Sequence, residues 1–455
     1  MVGQAEGSEH AATYLGSDFL WGVPVNGMVC HQCPAGRSGR TGGEKEWAMR
    51  IAPHESTDVS AHDLARWAAG IEPGAADLDL ARRALVDTVA VALAALDDPV
   101  AAWTDGLPAA LRWAAVGHVL DFDDLHIPST THISVVCVPA TLAAGGGARE
   151  YLAAAGVMAR LGAALGWEHY TQGWHTTATV GAISAAVAAG LSLGLDSDGI
   201  ATAMAHAVPA AGGVRQAFGT AGKSMQVGFA AQAGVRAATL AAAGATADPR
   251  AVGEWFRLVG GQRSLQFEGP IIPDGLGLKL HPCCYALQRP ISAVRSLGRL
   301  SIDDIARIRL RTPHSAVLPL IHNYPSSGLE GKFSLNYGIA AALLDGFPDI
   351  GSFTDAAVQR PEVRRILDSV SVVAEPVGEG VLDGDCTVVV ELRDGSQLEA
   401  VVDLPMGHPR RPASVADFEA KVRGCVGDER AAEIMNLDWV SAAALLQCHL
   451  PGGVN

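Results

Sequence analysis

The chain has 455 residues, 49% of them hydrophobic and only 18% charged, so it can bury a substantial core and its length suits two or three domains. Its net charge of -15 argues against nucleic acid, which calls for a basic surface. The longest apolar stretch, AISAAVAAGLSLGL at 182–195, is too short for a membrane span and reads as a buried helix.

Residues 1–57 show no sustained period and read as a poorly ordered extension. Within it Cys30 and Cys33 form half of a zinc motif with no second half nearby. The start of the chain lacks a basic segment followed by an apolar run, and the eight cysteines follow no secreted-scaffold spacing. Both features point to a cytoplasmic protein with reduced thiols. From residue 58 the texture changes. HDLARWAAGI and DLDLARRALVDTVAVALAAL repeat apolar residues at i, i+3 and i+4, as amphipathic helices do. YLAAAGVMARLGAALG, TTATVGAISAAVAAGLSLGL, GIATAMAHAV and SMQVGFAAQAGVRAATLAAAG continue the pattern, with Ser197 or Asp198 as the N-cap of the third. Residues 58–265 therefore read as a helical domain. Alanine and glycine at this density suit helices that approach one another closely.

Beyond residue 266 the period shifts. IARIRLRT alternates apolar residues with arginines, and CTVVVELRDGSQLEAVVDLP reads as a hairpin turning at Asp394-Gly395. PISAVRSL and YGIAAALLDG are helical, so 266–404 reads as a smaller α+β lid domain. The tail, 405–455, is helical again and is expected to complete the first domain. The fold class expected is mainly α, a large all-helical domain plus the α+β unit.

Chemistry gathers in DFDDLHIPSTTH, residues 121–132. Asp121, Asp123, Asp124, His126 and His132 are possible metal ligands, but the spacing matches no common zinc or calcium loop. A solvated turn and an acid/base pair of carboxylate and histidine are the other two readings. EHYTQGWHTTATVG brings His169, Tyr170 and His175, the last directly before a helix start that favours anions. Lys223 follows a glycine turn, and Lys279 lies in apolar text. Cys283 and Cys284 read as buried, and Tyr337 offers a hydroxyl to a developing oxyanion or to the core.

Five boxes in order, GHVLDFDD, GWHTTATVGA, GGVRQAFGTAGKSMQVG, KLHPCC and GLEGKFSLNY, resemble the MmgE/PrpD family over about residues 60–450. That family includes 2-methylcitrate dehydratases, cis-aconitate decarboxylases and iminodisuccinate epimerases. The resemblance implies a lyase acting on a small di- or tricarboxylate, a homodimer, no redox cofactor, and no metal in the decarboxylase and epimerase branches. Dehydration of the 2-methylcitrate type is the first expectation, followed by decarboxylation of the cis-aconitate type and then epimerisation of the iminodisuccinate type. A non-catalytic, ligand-binding homologue is the alternative from another class.

By the same resemblance Asp121 is the acid that orients catalysis, and His132 or His175 takes a proton beside a carboxylate. Lys223 and Lys279 bind substrate carboxylates, while the other histidine or Tyr337 returns the proton. Departures from the family pattern are Leu125 in place of a threonine, Ile133 and Thr176 in place of prolines, His281 for a tyrosine and Gln288 for a histidine. A shortened stretch spans 96–117.

Overall fold

A computed structural model describes residues 59–453, except 377 and 379. The expected 1–57 extension and its Cys30/Cys33 pair lie outside the described residues. The bundle opens with α1 (Ala61–Gly70), α2 (Ala75–Ala94), the short α3 (Pro99–Trp103) and α4 (Ala109–Val119). It continues through α5 (Ser134–Ala143), α6 (Ala148–Thr171), α7 (Thr176–Ser192), α8 (Ser197–Ala207), α9 (Ala221–Ala242) and α10 (Arg250–Leu258). The N-cap of α8 is Asp196, one residue before Ser197 and two before Asp198, because its carboxylate accepts the Gly199 N–H at 2.8 Å.

Small residues set the bundle's density. Every residue of α7 from Thr176 to Gly190 is buried, and α9 lies against it. A Cβ added to Gly234 of α9 would sit 2.5 Å from the Ala186 nitrogen, so the two backbones approach too closely for a larger residue. Gly166 breaks the line of α6 with φ +70°, a conformation glycine adopts freely, and the chain resumes as a last turn carrying His169 and Tyr170.

Two buried clusters organise the molecule. One draws on residues 59–272 and again on 418–450, so α17 (Val415–Val426), α18 (Asp428–Met435) and α19 (Trp439–His449) share the core of the bundle. The other lies within 283–402. It packs α11 (Gln288–Ser296), α14 (Leu335–Asp345) and α16 (Pro361–Ser369) on a four-stranded sheet, with α12 (His314–Val317), α13 (Gly328–Gly331) and α15 (Asp355–Val358) as short connectors. The fold is thus mainly α, a large helical domain with a smaller α+β domain.

The strands run β2-β1-β3-β4, where β1 is Ile305–Pro313, β2 Val370–Glu375, β3 Cys386–Leu392 and β4 Gln397–Val402. On β1, Ile308 and Leu310 are buried while Arg307, Arg309 and Arg311 are exposed, matching the alternation read from the sequence. β2, parallel to β1 with Ile308 opposite Val370, was not read from the sequence. Its valine-rich VSVVA stretch is apolar, yet its middle residues are exposed because it lies at the sheet edge. None of the helices among the described residues is long and apolar enough to cross a membrane.

Candidate active site

The loop after α4 turns sharply at Asp121, which holds φ +51°, and Thr130 holds φ +52°. Such conformations cost non-glycine residues about 1–3 kcal/mol and persist where surroundings enforce them. The chain between is pinned by a two-way backbone pairing of Leu125 with Gly277, at 3.0 and 2.7 Å. That pairing brings Lys279 behind the loop. Lys279 Nζ donates to the Asp121 carbonyl at 2.8 Å and to Asp121 Oδ1 at 3.0 Å, and Lys223 Nζ reaches the same Oδ1 at 2.6 Å.

Burial alone would raise the pKa of Asp121, but Lys223 and then Lys279 outweigh it and hold the carboxyl ionised, well below the usual range. Asp123 is likewise buried and likewise held low, here by two facing imidazoles. His118 Nδ1 lies 2.8 Å from Asp123 Oδ2. His132 Nδ1 lies 2.9 Å from the same oxygen, at an angle poor for a hydrogen bond. A carboxylate only accepts, so His118 carries its proton at Nδ1 and leaves Nε2 with a lone pair. His132 Nε2 is 3.9 Å from Asp121 Oδ1.

His175 stands at the N-cap of α7. Its Nδ1 lies 3.2 Å from Gln226 Oε1, which also accepts the Val214 N–H at 2.9 Å and so is the amide oxygen. The ring therefore donates through Nδ1, and its Nε2 is a free acceptor. Burial, then Lys223, keep His175 neutral, and burial pushes His132 down to about 3 against the pull of Asp123.

These groups border a cavity of ≈30 Å³ lined by Asp121, Thr130, His132, His175 and Lys223 on its polar side. Leu125, Tyr285, Pro319 and Val381 form its apolar side. Phe218 and Phe333, their rings 5.5 Å apart, close it, with Lys223 Nζ 5.3 and 5.2 Å from their centres. Cys284 also lines it, its thiol pushed up to about 11 by burial and then by Asp121. A larger cavity of ≈330 Å³, bordered by Asp79, Arg83, Asp124 and Phe418, carries none of the histidines or free lysines, so the chemistry belongs to the smaller one.

Of the residues singled out in the sequence, Asp121, His132, His175, Lys223 and Lys279 are brought together. Lys279 is fully buried behind Asp121 and borders that carboxylate rather than the cavity. Tyr337 is not brought in. It packs in the α+β core against Phe353, and its hydroxyl donates to the Ser352 carbonyl. As the third residue of α14 it faces the core its own helix builds. Asp124 bonds Ser134, and burial pushes it up to about 7. His126 is held by Ser129 and the Pro273 carbonyl, and His169 by the Val259 carbonyl. His118 was missed, although it opens the GHVLDFDD box.

His118, Asp121, Asp123 and His132 place ligand atoms within 4.8 Å of one another, close enough to hold a divalent cation. A cation there would meet the ammonium groups of Lys223 and Lys279, both within 3.0 Å of Asp121 Oδ1. Asp121 Oδ2, Asp123 Oδ1, His118 Nε2 and His175 Nε2 are buried without a partner, and all four are acceptors, open to water, a substrate hydroxyl or a proton. Fixed positive charge beside neutral, lone-pair imidazoles suits an anion that exchanges protons.

The family model described as the MmgE/PrpD N-terminal domain matches residues 101–265, and that of the MmgE/PrpD C-terminal domain matches residues 281–441. Among similar proteins, a cis-aconitate decarboxylase of Aspergillus terreus is 27% identical over 385 residues, covering 72% of this chain and 77% of the relative. A human cis-aconitate decarboxylase is 28% identical over 291 residues, covering 59% and 58%. A cis-aconitate decarboxylase-like protein of Aspergillus oryzae is 27% identical over 333 residues, covering 63% and 69%.

Proposed function

The chain belongs to the MmgE/PrpD family, and on that premise we propose that its histidine- and lysine-lined cavity is the active site of a lyase for a small polycarboxylate, with decarboxylation of the cis-aconitate type as its reaction. This departs from the expectation of 2-methylcitrate dehydration, since the named relatives are cis-aconitate decarboxylases. The observation that carries the reading is Lys223 in the wall of one cavity with His132 and His175, both held neutral by burial.

In this reaction a substrate carboxylate leaves as carbon dioxide. The electron pair of the broken carbon–carbon bond forms a new double bond, the old one shifts, and its far carbon takes a proton. Lys223 pairs with a carboxylate that stays, within reach of Asp121 at 2.6 Å. Lys279 holds Asp121 in place from behind. His132, in its charged form, delivers the proton, and Asp123 beside Nδ1 stabilises that form. Thr130 and the protonated Cys284 thiol supply neutral contacts.

The apolar wall of Leu125 and Val381 favours one second reading, dehydration of an alkyl-bearing substrate. There the lone pair on His175 Nε2 would remove the proton beside the carboxylate, the C–H electron pair would form the double bond, and His132 in its charged form would protonate the departing hydroxyl to water. Proton NMR in heavy water, with cis-aconitate, methylcitrate, citrate and iminodisuccinate offered separately, decides between them. The decarboxylase reading expects an unsaturated dicarboxylate from cis-aconitate carrying one deuterium. Turnover of methylcitrate alone would replace it with the second reading, and no turnover of any would sink both.

A further inference from the structure

Three successive backbone carbonyls of the active-site loop each accept from a different buried lysine. Leu120 receives Lys332 at 2.7 Å, Asp121 receives Lys279 at 2.8 Å, and Phe122 receives Lys421 at 2.7 Å. The lysines come from three separated parts of the chain: the turn after α13, the segment that pairs with Leu125, and α17. An ammonium group away from water is costly unless it is paired. Lys279 has the Asp121 carboxylate and Lys421 has Asp87 at 2.6 Å. Lys332 has no carboxylate partner among the described residues. It donates only to the Leu120 and Pro282 carbonyls, the latter at 2.8 Å, and lies 5.2 Å from the Phe353 ring. Burial pushes it down to about 8, so at neutral pH it still carries its proton.

The stretch these lysines grip is the one that holds Asp121 in its left-handed conformation, with its carboxylate toward Lys223. We propose that Lys332 and Lys421 are positioning residues of the reaction: acting through the loop backbone, they keep Asp121 and Asp123 in register with Lys223 and His132. Neither lines the cavity, and both ammonium groups are turned to backbone carbonyls of the loop. Lys332 reaches from the α+β domain to a loop of the bundle, so the loop takes its working shape only when the two domains are in contact. For its kinetic effect the proposal rests on the lyase reading above.

The test is Lys332→Met, which fills the slot and strands no opposite charge. Its first readout is backbone hydrogen exchange, which requires no substrate. The peptide covering 118–126 should exchange about tenfold faster or more, with peptides from α7 and α9 unchanged. Its second readout is kinetic. The kcat should fall about tenfold or more, while affinity for the unreactive tricarballylate stays within about twofold. Unchanged exchange and kcat would overturn the proposal. So would faster exchange across the whole bundle together with lost binding, which would mean a merely structural role. If Lys332→Met does not fold, the paired Lys421→Met, Asp87→Asn variant takes the same readouts, and its failure to fold also overturns the proposal. A wild-type protein inert to every polycarboxylate would sink the lyase reading, while the exchange result still decides the grip on the loop.

Discussion

At the scale of single residues, the site works by making ordinary side chains unusual. His132 and His175 are neutral because they are buried beside lysines, and Asp121 is charged because two ammonium groups share one of its oxygens. Replacing Lys223 or His132 with alanine should lower turnover by about 100-fold or more with circular dichroism unchanged. Near-wild-type rates in both variants would refute the roles given to them.

Buried histidines also shape the pH dependence of stability. His126, His169 and His281 are pushed down to about 4 by burial, and His132 to about 3. Between those values and the ordinary 6.5 the unfolded chain binds more protons than the folded one. Their contribution to stability is therefore present above pH 6.5 and lost as pH falls toward 4. Asp124, raised to about 7, works the other way, losing its contribution as pH rises from about 4 through 7. With His118 and His175 also pushed down by burial, the histidines outnumber Asp124 and the similarly raised Asp87 and make the protein acid-labile. His281, which donates to the Pro348 carbonyl outside the site, isolates the effect. His281→Gln should recover roughly 1–2 kcal/mol of the stability lost between pH 7 and pH 5, read from urea midpoints at each pH.

At the scale of elements, helix contact is governed by residues that are missing a side chain. Gly234→Val would drive a branched side chain into α7 and should cost about 2–3 kcal/mol in urea unfolding, whereas Gly424→Ala in α17, with open space around its Cβ and no positive φ, should cost nothing measurable.

The elements were also the most legible part of the sequence. Long periodic stretches such as the one forming α2 carry their own signal, and the alternation in IARIRLRT shows which face of β1 is buried. The site was legible where chemistry is dense in the chain, as in residues 121–132. It was not legible where partners are distant. Lys332 and Lys421 look like ordinary surface lysines, and their acceptors lie 212 and 299 positions away. Tyr337 misled because its place in an ordered box says nothing of which way α14 turns it. His118 was readable in principle, since it precedes Asp123 by five residues across a tight turn.

At the scale of the whole molecule, the tail of the chain is part of its first domain. Phe418, Val422, Ile434 and Leu446 are buried in the bundle core, and Lys421 neutralises Asp87 there. Removing residues 415–453 should abolish cooperative unfolding rather than trim stability, because it opens that core and leaves Asp87 without its cation. A truncated protein that melts as sharply as the full chain would show otherwise. The active-site cavity, at ≈30 Å³, falls far below the roughly 300–1,000 Å³ of ordinary ligand pockets. Phe218 from the bundle and Phe333 from the α+β domain must part before the polycarboxylate of the proposed reaction can enter.

Asp121 and Asp123 carry two negative charges and Lys223 and Lys279 two positive ones, so with neutral imidazoles this quartet is electrically balanced. A guest bearing two or three carboxylates upsets that balance, and the least costly remedy within reach is a hydrogen ion captured from solvent by His132. Association would then be a two-ligand event, anion and hydrogen ion together. Its affinity for tricarballylate should strengthen as pH drops from 8 to 6.5, and its calorimetric heat should vary with the ionisation enthalpy of the buffer in proportion to the hydrogen ions absorbed. Heats identical in phosphate and Tris would show that the guest enters alone. On this view the substrate's own charge arms the acid that later protonates it, and a dry, balanced pocket avoids keeping that acid loaded while it waits.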